Sequence, residues 1–146
     1  MKLCSICAVV FISLVLVSGA IAAENKITHR VFTVAATNDE WTQTNIKVYP
    51  GDILITNEAG NKITVGQFLG EVGANGFESG VGALYMKIGV GAGTKIGAHG
   101  YIQVNDPGIV KLRVYDTKYS DNSGNFTVNI IHIPGSLIPP PQVVEQ

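Results

Sequence analysis

Asp116, Asp121 and Asn122 put three carbonyl-bearing side chains within seven positions, on a segment reading Asp-Thr-Lys-Tyr-Ser-Asp-Asn-Ser-Gly. Alternating apolar runs flank it on both sides. A compact group of hard oxygen donors on a loop between strands is what Ca²⁺ requires, since the ion gathers six to eight oxygens from carboxylates, amides, carbonyls and water. The bland alternative is that Asp and Asn here simply form a turn, bonding their own backbone. Spacing alone favours the turn.

Other chemistries find little support in the chain. His29, His99 and His132 are far apart and lack a partner at metal-ligand spacing. Both cysteines, Cys4 and Cys7, fall in the first seven residues. Asp116 with Asp121 is the one carboxylate pair that glycosidic hydrolysis could use, and a pair holding Ca²⁺ could not also serve as a general acid. The glycines between Gly66 and Gly82 lack the lysine and hydroxyl that complete a phosphate loop. The expectation is a non-catalytic protein.

Lys2, the apolar stretch Cys4 to Val17 and the small residues Ser18 to Ala23 form the pattern of a secretory signal peptide, residues 1–23, with cleavage near Ala22 or Ala23. An exported chain, secreted or periplasmic, would then carry no thiol, so disulfides and thiol catalysis drop out. Loss of Lys2 takes the net charge from −1 to −2. A near-neutral surface with interspersed signs has no basic stripe for nucleic acid, and no later segment is apolar enough to span a membrane. About 120 residues remain, which suits one domain.

The elements that must position the loop read as strands. Period-two alternation marks 30–34, 44–48, 52–56, 83–88, 101–104, 109–115 and 125–133, with Pro50-Gly51 and Asp106-Pro107-Gly108 as turns. No window carries a sustained helical period. The expected class is all-β, an antiparallel sandwich or jelly roll over residues 24–133. Residues 57–82 are glycine-rich with weak strand signals. Residues 134–146, with Pro139-Pro140-Pro141, should form an extended tail outside the core.

Four blocks in order carry a family resemblance: Trp41-Thr42-Gln43-Thr44, Val48-Tyr49-Pro50-Gly51-Asp52, Gly82 to Gly89, and Tyr119 to Ile130. Together they resemble the PA-IL-like family of Ca²⁺-dependent, jelly-roll carbohydrate-binding domains. The resemblance implies that Asp116, Asp121 and Asn122 ligate Ca²⁺ through side chains, with backbone carbonyls from Val48 and Lys118. It further implies that sugar hydroxyls coordinate the ion, with Asp116, Thr117, Tyr119 and Asp121 at the carbohydrate. Such lectins form multimers, so a homo-oligomer is compatible with it.

Three departures limit the transfer. The loop is about two residues shorter than in the family. Asp121-Asn122 stands where the family has Asn-Asn, which adds negative charge. The family's His-Pro-x-Gln sugar-contact segment has no counterpart, so galactose specificity does not carry over. Gln67, Glu71, Asn75 and Glu78 are the polar candidates in its place. Trp41 reads as a core residue more readily than as a sugar platform. Two rivals stand beside the lectin reading: a structural or adhesive β-domain with a purely structural Ca²⁺, and an accessory domain that meets a protein partner through its Pro-rich tail or an exposed sheet edge.

Overall fold

The computed structural model describes residues 26–140; the expected signal peptide and the end of the tail lie outside the described residues. Ten strands form two four-stranded antiparallel sheets and one small ribbon. One sheet orders β1 (Thr28–Ala35), β10 (Asn125–Ile133), β3 (Ile53–Glu58) and β8 (His99–Gln103). The other orders β2 (Thr42–Val48), β9 (Gly108–Val114), β6 (Leu84–Ile88) and β7 (Thr94–Lys95). The chain changes sheet at nearly every step: β1 to β2, β2 to β3, β3 through the ribbon to β6, β7 to β8, β8 to β9 and β9 to β10. This is the jelly-roll sandwich that the alternation implied.

Alternation explains the core. In β10, Phe126, Val128 and Ile130 are fully buried, while their neighbours face outward. In β9, Val110, Leu112 and Val114 do the same from the facing sheet, joined there by Leu84 and Met86 of β6, while Leu54 of β3 adds to the row on the β10 side. A side chain of this size contributes about 1.5–3 kcal/mol when fully buried. The two inward rows therefore hold the sheets together without any covalent staple.

Residues 57–82 carry more structure than their composition suggested. β4 (Ile63–Val65) and β5 (Gly70–Val72) pair antiparallel around a single helical turn, α1 (Gly66–Leu69). Ile63 and Val65 are buried, so this ribbon is anchored in the core. Thr64 and Ser123 exchange backbone hydrogen bonds, both at 3.0 Å, which ties the ribbon to the 116–124 loop.

The start of the tail is also tied down. Pro134 is buried, and Gly135 begins a 3-10 turn (Gly135–Leu137) whose first N–H donates to Asp52 Oδ1 at 2.8 Å. The extended, loose tail expected from Pro134 onward is thus docked at its first residues. Trp41 differs from expectation as well. It sits outside the core, with Lys87 Nζ 4.6 Å and Arg113 Cζ 4.8 Å from its ring. Cation–π contact of this kind suits a half-exposed indole.

Candidate functional site

The 116–124 loop leaves β9 and returns through Gly124 into β10, so it lies at one pole of the sandwich. Register defines that pole: Ala35 pairs with Asn125 there, whereas Thr28 pairs with His132 at the far end of β10. Seven steps along β10 separate these two pairs, about 24 Å at ordinary strand rise.

Asn122 organises the loop. It is buried, and both hydrogens and one lone pair of its amide are used: Oδ1 accepts from Gly66 N–H at 3.1 Å, while Nδ2 donates to Ala36 O at 3.1 Å and to Asp116 Oδ2 at 2.8 Å. One donor faces Oδ1 and two acceptors face Nδ2, so the network fixes the orientation of the amide. Asp116 Oδ1 accepts from the Thr117 and Lys118 N–H groups at 2.6 and 3.3 Å. Its own N–H donates to the Tyr119 hydroxyl at 3.1 Å. This is Asx-turn geometry, so the turn reading is correct for Asp116 whatever else it does; the Asn122 side chain bonds distant backbone instead.

Asp121 is different. Its side chain is 24% exposed, and it pairs with the Lys118 ammonium, 2.9 Å from Oδ2. The side chain of Lys118 is mostly exposed, so the pair is weak and readily exchanged. The same Oδ2 lies 3.8 Å from where a Cβ on Gly66 would stand. Gly66 has φ +61°, and its N–H is the one that Asn122 binds. Asp121, Asn122 and the backbone at Gly66 thus converge on one spot.

The structure brings together Asp116, Thr117, Lys118, Tyr119, Asp121 and Asn122. It does not bring Val48 to them. Val48 is buried and pairs with Gly108, the opposite end of β9 from the loop. Six residues of strand, about 20 Å, intervene. The backbone that approaches the loop from elsewhere in the chain belongs to β4 and Gly66 instead. Sequence reading missed this because β4 is three residues long and carries little alternation.

The donors suit a hard cation. They offer two carboxylates and an amide oxygen with a second lone pair, and they already draw an ammonium to Asp121. Among the described residues no group of three or more His, Cys, Asp or Glu side chains is placed to hold a metal. A cation here would therefore depend on the two carboxylates plus amide, backbone and exogenous oxygens.

Beside this spot the ribbon presents apolar surface. Phe68 is 97% exposed and Leu69 57% exposed, two and three residues from Gly66. An aromatic ring left almost wholly in water, two residues from the backbone that Asn122 binds, is the feature that the polar candidates overlooked. Gln67 is exposed on the same turn. Asn75 is structural, its Oδ1 accepting from Ala98 N–H at 3.0 Å. Glu71 and Glu78 are exposed. On the other flank, Arg113 reaches towards Tyr119, with Cζ 5.9 Å from the ring.

The fold is similar to that of a solved lectin domain. That structure is described as the EclA N-terminal domain, a PllA-like lectin, and it shares 23% identity with this chain at a TM-score of 0.62. The match covers 75% of this chain and 99% of that one. No protein-family model and no curated protein matches the chain. The lectin-type jelly roll that the sequence resemblance implied is therefore the fold observed. Among the described residues, no helix is long and apolar enough to cross a membrane.

Proposed function

We propose that this chain is an exported, lectin-like carbohydrate-binding protein without catalytic activity, whose sugar binds at the 116–122 loop through a Ca²⁺ ion. The observation that carries this reading is the convergence of Asp121, Asn122 and the Gly66 backbone, on a lectin-type fold, beside the bare ring of Phe68. Asp116, Asp121 and Asn122 Oδ1 would hold the ion, with a main-chain carbonyl from Lys118. Bound Ca²⁺ supplies a hard Lewis acid on which two sugar hydroxyls can replace water.

The chain's own residues do the rest. Asn122 holds Asp116 in place, and Asp116 and Asp121 accept hydrogen bonds from sugar hydroxyls. Thr117 and Tyr119 flank them on the loop. Phe68 gives an apolar face for the C–H side of a pyranose, the part of a sugar that gains from leaving water. With its carboxylate oxygens engaged by three N–H donors, Asp116 is poorly suited to proton transfer, which supports the non-catalytic reading.

Isothermal titration should show Ca²⁺ binding that Asp121→Ala abolishes, and a glycan array should lose its signals in chelator. Glycan signals that persist in chelator would defeat the Ca²⁺ mechanism. Ca²⁺ that raises the melting temperature while no glycan binds would leave a structural ion only.

A further inference from the structure

Cations scattered along the chain meet on the outer face of the β2–β9–β6–β7 sheet. Alternation sets their direction. Thr44, Ile46 and Val48 are buried and leave Lys47 outward on β2, while Val110, Leu112 and Val114 are buried and leave Lys111 and Arg113 outward on β9. Leu84 and Met86 do the same for Lys87 on β6, and Lys95 of β7 pairs with the outward Tyr85. Five of the nine basic residues after position 23 thus share one face. The four strands contain no Asp or Glu. Along the sequence the two signs read as interspersed, with no basic stripe. Only strand register brings positions 47, 87, 95, 111 and 113 together.

Register also fixes their spacing. Lys111 stands directly opposite Lys87, and Tyr85 lies between Arg113 and Lys95 in the next row. Lys47 stands opposite Ile109, two residues before Lys111. From Lys47 to Lys95 the cations form an oblique track over all four strands, about 20 Å long at ordinary strand rise and spacing. Neighbours along it are about 5–8 Å apart at Cβ, and like charges placed directly opposite cost stability. The ion pairs among the described residues, Lys118 with Asp121 and His132 with Asp52, involve none of the five. Asp39, just before β2, meets Arg113 only through its backbone carbonyl, at 3.3 Å from Nη1.

Trp41 holds two of the cations, with Lys87 Nζ and Arg113 Cζ over its ring. Gly93 lets the indole lie across the face, since a Cβ there would stand 2.8 Å from Trp41 Cη2. Cation–π contact keeps those two heads on the sheet. The track also runs up to the 116–122 loop: Arg113 Cζ is 5.9 Å from the ring of Tyr119, whose hydroxyl accepts from Asp116 N–H.

We infer that this face binds an acidic polysaccharide without Ca²⁺, its carboxylate or sulfate groups distributed over the track of Lys47, Lys111, Lys87, Arg113 and Lys95. The polyanion follows from charge complementarity, since five cations and no acid occupy a stretch longer than one monosaccharide. A second copy of the chain fits poorly, because two-fold pairing of this face would set cations against cations. The choice of a polysaccharide among polyanions rests on the carbohydrate reading above and on the approach of Arg113 to that loop.

The test is a titration of the purified chain in chelator, read by the fluorescence of Trp41, its one tryptophan, with calorimetry for affinity. Oligogalacturonate supplies carboxylates and a heparin oligosaccharide of equal length supplies sulfates, so the tighter of the two identifies the anion. A malto-oligosaccharide, single-stranded DNA of equal charge and phosphatidylserine vesicles are the comparisons. An acidic glycan should give a saturable change, bind about tenfold tighter than any comparison, and weaken roughly tenfold between about 50 and 200 mM salt. Lys95→Gln/Lys111→Gln, with an unchanged melting curve, should weaken it about fivefold. Lys26→Gln/Lys62→Gln removes the same charge elsewhere and should weaken it less than about twofold. No binding of either acidic glycan, equal or tighter binding of DNA or vesicles, or equal loss in the two double variants would overturn the proposal. Acidic glycan bound in chelator by Asp121→Ala supports the face even if the loop proves not to bind Ca²⁺. On the glycan array, acidic signals that survive chelator but vanish in Lys95→Gln/Lys111→Gln belong to this face, and neutral signals report the loop, so the two readings fail separately.

Discussion

Asn122 donates from Nδ2 to Asp116 Oδ2 at 2.8 Å, and through that bond a buried amide orders the carboxylate six residues before it. The same amide reaches Ala36 and Gly66, so one side chain joins the end of β1, the β4–β5 ribbon and the loop. The loop is built before any ligand arrives.

Replacing Asn122 should therefore be costly. Asn122→Ala leaves Gly66 N–H and Ala36 O without partners and should lower stability by about 2–3 kcal/mol. Urea unfolding monitored through Trp41 fluorescence measures it. Asn122→Asp should be worse at neutral pH, because it sets a second carboxylate against Asp116, and added Ca²⁺ should recover part of the loss.

Lys118 competes with any cation for Asp121. Lys118→Met keeps the backbone carbonyl and removes the competing charge. An exposed pair of this kind is worth about 0.2–1 kcal/mol, so Ca²⁺ affinity should rise roughly two- to fivefold by titration calorimetry. An unchanged or weakened affinity would place the ion elsewhere.

Phe68 touches little in the protein, so Phe68→Ala should change stability by less than about 0.5 kcal/mol. If its ring covers the sugar, glycan binding should fall about tenfold, the equivalent of roughly 1.4 kcal/mol. Ca²⁺ binding measured without glycan should be unaffected.

Asp52 gives the fold its acid sensitivity. Burial raises its pKa, but hydrogen bonds from Gly135 and Tyr49 and the contact with His132 outweigh burial and hold it below its ordinary value. A carboxyl depressed in the folded state contributes stability above its unfolded pKa and loses it as pH falls through the folded one. Stability should thus decline below about pH 3.9. Asp52→Asn should flatten that decline and cost about 1–3 kcal/mol at neutral pH, because a donor then faces partners that need an acceptor.

The seven longer strands were legible because each runs five or more residues with an alternating pattern, and most are followed within two residues by Gly, Pro or Asn. β4, β5 and β7 were not, since two or three residues cannot display a period. The oxygen donors of the loop were visible as a cluster, yet their partner backbone at Gly66 lies 56 residues from Asn122. Val48 was drawn into the ligand set by a matching block of residues, whereas antiparallel pairing carries it to the other end of β9. Phe68 was passed over because exposure, not residue type, makes it notable. The docking of Gly135 depends on Asp52, 83 positions earlier, and no local pattern announces it.

Thr28 pairs with His132, so the entry of β1 and the exit of β10 leave the sandwich side by side, away from the 116–122 loop. Anything joined through either strand end departs from one face while the loop looks out from the other. Immobilised through such a joint, the domain would display its loop to the medium unobstructed, and neighbours on a dense surface would all point the same way.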